Sequence, residues 1–318
     1  MDNVTQPLDS SPENLPSMPP FDFRSEVADY DCESDVAEWN GPRFRMRYRI
    51  LGSGPALVVL PGIASTYRGY APTLNRLAPY FRTIIADYPG ENHGDGARLR
   101  EITHEHLIDD LIGLLDHLNI DRAHLFGLSF GSTVTLRALA RAPERFGKSV
   151  LQGAFAYRRF GPVDRAALRF GRLLPGTTDR LPLRKLVLHL EGKAHFNGQP
   201  ADRWSYYVEQ NGLTPIGPMA HRIDLLTRMD LRPSLRSIDT EILLLQGDRD
   251  KIVPVSNYRL LLNELPHAQG ILMPGVGHQP HFTHPEWLAR AVGDFLTDES
   301  SSEVEESRQL VASIGHAR

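Results

Sequence analysis

The sequence predicts an α/β protein: an open, mostly parallel sheet with helices on both faces. Three observations lead there. Short, continuous apolar runs end in turn residues, as strands buried on both faces of a parallel sheet do. Amphipathic helical patterns separate several of these runs, which is the alternation of a layered α/β domain. One stretch of more than eighty residues breaks the alternation with helical segments only, and a connection that long is usually functional.

Taken in chain order, organised structure is expected from Trp39. RFRMRYRI (43–50) alternates like a strand solvated on one face. ALVVLP (56–61), RTIIAD (82–87), AHLFG (123–127), KSVLQGA (148–154), EILLLQG (241–247) and QGILMPG (269–275) read as buried strands. Among the helices, HLIDDLIGLLDHL places Leu107, Leu111, Leu114, Leu115 and Leu118 on one face. The strand-free stretch carries DRAALRFGRLL (164–174), LRKLVLHLEG (183–192), DRWSYYVEQNG (202–212) and PMAHRIDLLTRM (218–229). Residues 156–232 are therefore expected to form a helical cap over one end of the sheet, dividing the core into 39–155 and 233–297.

Composition bounds the rest. The 318 residues are 41% hydrophobic and 23% charged, enough for a sizeable core. No apolar run reaches the roughly 20 residues of a membrane span, and the first twenty residues lack the basic start and apolar segment of a secretory signal. A cytoplasmic protein is expected. The single Cys32 allows neither an intrachain disulfide nor a cysteine-based zinc site. Residues 1–40 hold ten Asp/Glu against Arg24 alone, and residues 298–318 hold five against two arginines. Segments 1–38 and 298–318 are accordingly expected to be acidic and disordered. The basic middle is read as a solvated surface, since no nucleic-acid motif accompanies it. Within 155–230, twelve Lys/Arg outnumber seven Asp/Glu, a surplus that either biases the pocket towards anionic substrates or sits on the outer face of the cap.

The sharpest local signal is Gly127-Leu128-Ser129-Phe130-Gly131, between the strand AHLF and the helical run STVTLRALARA. This is the nucleophile-elbow pattern. A tight strand-to-helix turn strains the serine backbone, and Gly127 and Gly131 leave room where side chains would clash. A hydroxyl needs a base to become a nucleophile. Gly275-Val276-Gly277-His278 follows the last apolar strand and makes His278 the candidate base; His281 and His284 share its loop. The base in turn needs a carboxylate to fix its tautomer. After EILLLQ comes Gly247-Asp248-Arg249-Asp250, in which either aspartate fits that role. An oxyanion hole needs two backbone N–H groups. Phe130 follows the nucleophile, and in Pro61-Gly62-Ile63 the proline has no N–H, which makes Ile63 the second candidate.

Together these segments resemble the α/β-hydrolase superfamily, in its branch with a helical cap inserted after the sixth strand, over about residues 41–297. The resemblance implies an α/β-hydrolase fold and chooses Asp250 over Asp248, because the family's acid lies three residues after the glycine of G-x-x-D. The family's final G-x-G-H matches Gly275 to His278, with Pro285-Glu286 following. Two segments depart from the pattern. Pro61-Gly62 stands where members often have His-Gly, and in the segment from Asp87 to Gly94 only Asp87 and Gly90 fit D-x-x-G-x-G-x-S. Glu91 and His93 in that segment either face the cleft or serve as plain loop residues, and the loop role is the preferred reading. LLDHLNIDRAHLFGLSFG is also similar to the maspardin family, hydrolase-fold proteins thought to bind rather than catalyse and lacking the full triad.

The superfamily resemblance implies a serine hydrolase acting on an ester, thioester or lactone through an acyl-enzyme, with a small-molecule acyl substrate and no metal or organic cofactor. A serine at the elbow argues against the epoxide hydrolases and haloalkane dehalogenases of this fold, which carry aspartate there. Carbon–carbon bond hydrolases and acyltransferases share the triad and stay open as alternatives, as does a non-catalytic binding protein. The sequence gives no oligomeric state.

Overall fold

The computed structural model describes residues 22–297, apart from residues 172, 182–183, 185–187, 190–191, 193–195 and 197. The disorder expected for 1–21 and 298–318 lies outside the described residues, as does most of the helix expected over 183–192.

Eight strands form one sheet: β1 (Asp35–Asn40), β2 (Arg45–Leu51), β3 (Ala56–Leu60), β4 (Arg82–Ala86), β5 (Ala123–Leu128), β6 (Phe146–Gln152), β7 (Ile242–Gly247) and β8 (Ala268–Met273). Their order is β1-β2-β4-β3-β5-β6-β7-β8. β2 pairs antiparallel with both β1 and β4, and every pairing from β4 to β8 is parallel. The central strands are buried on both faces because their side chains alternate between two cores. On β3, Leu57 and Val59 enter one core while Val58 and Leu60 enter the other; on β7, Leu243 and Leu245 oppose Ile242 and Leu244 in the same way.

Helices cover both faces: α1 (Phe23–Glu33), α2 (Tyr67–Leu77), α3 (His104–His117), α4 (Phe130–Arg141), α5 (Pro162–Gly171), α6 (Ala201–Gly212), α7 (Ile216–Leu226), α8 (Val255–Glu264), α9 (Pro280–Thr283) and α10 (Pro285–Thr297). Of these, α5, α6 and α7 belong to the long connection between β6 and β7. Among the described residues that connection contains no strand, only isolated bridges at Tyr157–Asp230 and Thr177–Pro215.

The start of the chain corrects the expectation of disorder up to residue 38. Phe23, Val27 and Tyr30 recur at helical spacing and are buried, so α1 has an apolar stripe despite its acidic composition. Asp22 caps it by accepting from the Arg24 N–H at 2.9 Å. Phe23 stacks on Tyr206 of α6 and Phe282 of α9, with ring centroids 4.9 and 5.5 Å apart. β1 then adds an antiparallel edge strand to β2. Among the described residues no helix is long and apolar enough to cross a membrane.

Candidate active site

Ser129 stands between β5 and α4 with φ 50° and ψ −111°, a backbone conformation that costs a non-glycine residue free energy. Its surroundings hold it there. Its N–H donates to the Gln152 carbonyl on β6 at 2.8 Å, and its carbonyl accepts the Ser132 N–H at 3.0 Å and the Ser132 hydroxyl at 2.6 Å. The flanking glycines are required by space. A Cβ on Gly131 would collide with the Leu60 carbonyl of β3, and one on Gly127 would collide with the Thr135 hydroxyl of α4.

The other two residues come from the ends of β7 and β8. His278 Nε2 lies 3.0 Å from Ser129 Oγ, and His278 Nδ1 lies 2.6 Å from Asp250 Oδ2. The remaining Asp250 oxygen accepts the Ile252 and Val253 N–H groups, each at 2.8 Å, and Gln246 Nε2 donates to Oδ2 at 3.2 Å. Burial pushes the Asp250 carboxyl up, but the His278 contact, its charge and the two amides together hold it below the usual aspartate value. Both Asp250 and His278 are almost fully enclosed.

Two loops fix this register. Asp248 N–H donates to the Met273 carbonyl at 3.1 Å, and Arg249 N–H to the Val276 carbonyl at 3.0 Å. Asp248 Oδ1 accepts the Gly275 N–H at 2.8 Å, so this aspartate ties the histidine loop down and does not face the imidazole. Gly247 sits where a Cβ would collide with the Val276 carbonyl. Gly153, just after β6, has φ +57°, and a Cβ there would come within 3.0 Å of the His278 ring. Of the other histidines in the loop, His281 is buried and stacked on Tyr70, ring centroids 4.5 Å apart, and His284 Nδ1 lies 2.8 Å from the Thr283 hydroxyl. Burial, with the charge of His278 nearby, pushes His281 down to about 3 and keeps its ring neutral.

The loop after β3 passes over the elbow. A Cβ on Gly62 would lie 3.7 Å from Ser129 Cβ and 3.5 Å from Ser65 Oγ. The Tyr88 hydroxyl donates to the Pro61 carbonyl at 3.2 Å, and the Gly62 N–H donates to the Tyr70 hydroxyl at 3.0 Å. Ile63, next in line, is partly buried, and its carbonyl accepts from Arg222 Nε of α7 at 2.9 Å. The reading of Glu91 as a plain loop residue is corrected. Its carboxylate is enclosed and ion-paired with the buried Arg222 at 2.8 Å, whereas His93 is exposed. Burial raises Glu91 to about 7 against the opposing pull of Arg222. Beside the loop lies a cavity of about 200 Å³, lined by Arg47, Arg49, Ser65, Thr66, Asp87 and Leu213 among others.

Sequence reasoning missed Gln246, Gly153, Arg222 and the pairing of Arg222 with Glu91. A glutamine inside the apolar run ILLLQG is the one local signal among them, because a buried amide needs a polar partner. Among the described residues no group of three or more His, Cys, Asp or Glu side chains is placed to hold a metal ion.

The comparisons with known proteins agree with this architecture. The family model described as the alpha/beta hydrolase fold matches residues 55–285. A pimeloyl-[acyl-carrier protein] methyl ester esterase of Xanthomonas campestris pv. campestris is 28% identical over 262 residues, 79% of this chain and 98% of the relative. A 2-hydroxy-6-oxo-6-phenylhexa-2,4-dienoate hydrolase of Burkholderia cepacia is 26% identical over 265 residues, 80% of this chain and 92% of the relative. Among solved structures, an enol-lactonase from Burkholderia xenovorans LB400 superposes with TM-score 0.70 at 21% identity, covering 82% of this chain and all of that one. The chain belongs to the α/β-hydrolase fold family and is an enzyme of the hydrolase class.

Proposed function

We propose that the protein is a serine hydrolase that cleaves a carboxylic ester, thioester or lactone of a small acyl substrate. The observation that carries this reading is the unbroken contact chain Asp250–His278–Ser129, at 2.6 and 3.0 Å. Ser129 Oγ attacks the carbonyl carbon as its proton passes to His278 Nε2. Asp250 accepts the Nδ1–H, fixing the tautomer and stabilising the imidazolium. The tetrahedral oxyanion is held by the Ile63 and Phe130 N–H groups. Collapse breaks the bond to the alkoxide or thiolate, which takes the proton from His278 and leaves as alcohol or thiol, or, from a lactone, stays tethered to the acyl group as a hydroxyl. Water, deprotonated by His278, then attacks the acyl-enzyme and releases the acid with Ser129 restored.

The insertion acts as a cap in this reading. Leu213, Thr214 and Pro215, between α6 and α7, face the polar cavity beside the elbow loop.

The test is labelling with a fluorophosphonate, which reports serine activation without a substrate guess. Wild type is expected to label and both Ser129→Ala and His278→Ala to stay unlabelled. A folded wild type that neither labels nor turns over any ester, thioester or lactone in a chain-length panel would overturn the reading in favour of a non-catalytic binding protein.

A further inference from the structure

We propose that Arg222 of the cap is a positioning residue for the oxyanion hole: it fixes the Ile63 amide over Ser129, with Glu91 holding the guanidinium in place. The inference rests on the serine hydrolase reading and on Ile63 as one oxyanion donor.

The Ile63 N–H belongs to the peptide unit joining residues 62 and 63. The unit before it, between Pro61 and Gly62, is pinned at both ends. Tyr88 donates to its carbonyl at 3.2 Å, and its N–H donates to Tyr70 at 3.0 Å. The unit after it, between Ile63 and Ala64, is pinned at its carbonyl by Arg222 Nε at 2.9 Å. The Ala64 carbonyl beyond accepts from the Thr214 hydroxyl at 3.2 Å. The 62–63 unit is thus held from both sides, its N–H left to the substrate. The upstream anchors, Tyr70 and Tyr88, come from the sheet domain. Both downstream anchors come from the insertion between β6 and β7.

Arg222 is an expensive way to make one hydrogen bond. Its side chain is 2% exposed and that of its partner Glu91 12%. Burying an ion pair this deeply usually gains little stability over apolar side chains of the same volume. The guanidinium also lies over the Tyr88 ring, 5.4 Å from its centroid, so one side chain touches the carboxylate, the loop carbonyl and the upstream anchor together. An orientational role accounts for that arrangement. The oxyanion hole depends on donors already aimed at the developing charge, and a misplacement of about 1 Å costs on the order of 10²-fold in rate. Cap and oxyanion hole are therefore one mechanical unit. The cap covers the substrate and, through Arg222 and Thr214, completes the half of the loop that the sheet domain leaves unanchored.

The experiment compares wild type, Arg222→Met, Arg222→Lys and Glu91→Gln in the full chain. It measures kcat and KM on a short activated ester, amide hydrogen exchange over residues 62–66, and the urea midpoint. Arg222→Met is expected to lower kcat by about 10²-fold with KM within a few-fold, and to speed exchange in the loop. Its urea midpoint is expected to fall, because Glu91 is left buried without its partner, so kcat is taken per folded enzyme. Arg222→Lys, which restores a donor to the Ile63 carbonyl, is expected to recover part of kcat, and Glu91→Gln to fall between wild type and Arg222→Met. An unchanged kcat in Arg222→Met with an active wild type overturns the inference alone. So does a loss of kcat without faster loop exchange, or one matched by a proportionate loss of folded protein. A wild type without Ser129-dependent turnover overturns the hydrolase reading, and this inference with it.

Discussion

Asp250 meets His278 with a single oxygen, Oδ2 at 2.6 Å from Nδ1, while Oδ1 is occupied by the Ile252 and Val253 amides. The carboxylate therefore cannot rotate without giving up two backbone hydrogen bonds. Asp248, two residues away, ties Gly275 and leaves the imidazole alone. Asp250→Asn is expected to lower kcat by about 10⁴-fold while the fold survives. Asp248→Asn keeps an oxygen for the Gly275 N–H and is expected to hold kcat within a few-fold. Steady-state kinetics on one ester, with circular dichroism of both variants, checks the pair. Equal losses would mean that the acid has been misassigned.

Gly131 gives a sharper test of the elbow than Ser129 does. The Cβ of Gly131→Ala would be driven into the Leu60 carbonyl, a backbone atom in a central strand that has no room to give. Overpacking at such a site typically costs 1–3 kcal/mol, and the backbone contact puts the expectation at about 3 kcal/mol. Ser129→Ala removes only a hydroxyl and is expected to change stability by less than about 1 kcal/mol. Urea unfolding of the two variants separates these outcomes.

How much of this was legible in the sequence depends on the range of the interaction. The strands and the elbow are local. A buried strand writes itself as a short apolar run, longest in ALVVL and ILLL, and the turn at Ser129 needs glycine two residues to either side. Asp250 and His278 follow strands, so their places at the strand ends came with the strands. Choosing Asp250 over Asp248 did not, because both satisfy the local pattern; that choice came from the family's G-x-x-D spacing at Gly247 and Asp250. The pairing of Glu91 with Arg222 was invisible, since residues more than a hundred apart meet with no motif to announce them. The start of the chain was misread for another reason. Net charge over forty residues averages away the three apolar positions, Phe23, Val27 and Tyr30, that bury α1.

Buried neutral histidines set an acid limb to stability. His281 is pushed down to about 3, and His104, buried near the Arg137 charge, to about 4. The unfolded chain titrates these groups near 6.5. Between that value and the folded one the unfolded state binds more protons, so their contribution to stability is full above pH 6.5 and shrinks as pH falls. Glu91, raised to about 7 in the fold, has the opposite sign: its contribution is lost as pH rises from about 4.5 to 7. His281→Phe keeps a ring against Tyr70 and removes one titration. Its stability loss between pH 7 and pH 5 is expected to be roughly 2 kcal/mol smaller than that of wild type. Urea midpoints at the two pH values measure the difference, and parallel losses would refute a neutral His281.

The acidic N-terminal helix is expected to behave as part of the core. Tyr30 is fully buried, and Phe23 reaches across to Tyr206 on α6 and Phe282 beside the histidine loop. Truncating a buried aromatic to alanine costs about 3–5 kcal/mol. Tyr30→Ala and Phe23→Ala should both show that loss in urea unfolding, which a tethered disordered segment would not. The two differ in what else they disturb. Tyr30 neighbours Tyr67 at the start of α2, ring centroids 5.8 Å apart, whereas Phe23 bridges α6 and α9. Phe23→Ala should therefore raise hydrogen exchange in α6 and at residues 280–284 under conditions where the sheet stays protected. Exchange confined to residues 22–34 would show instead that α1 leans on α6 without supporting it.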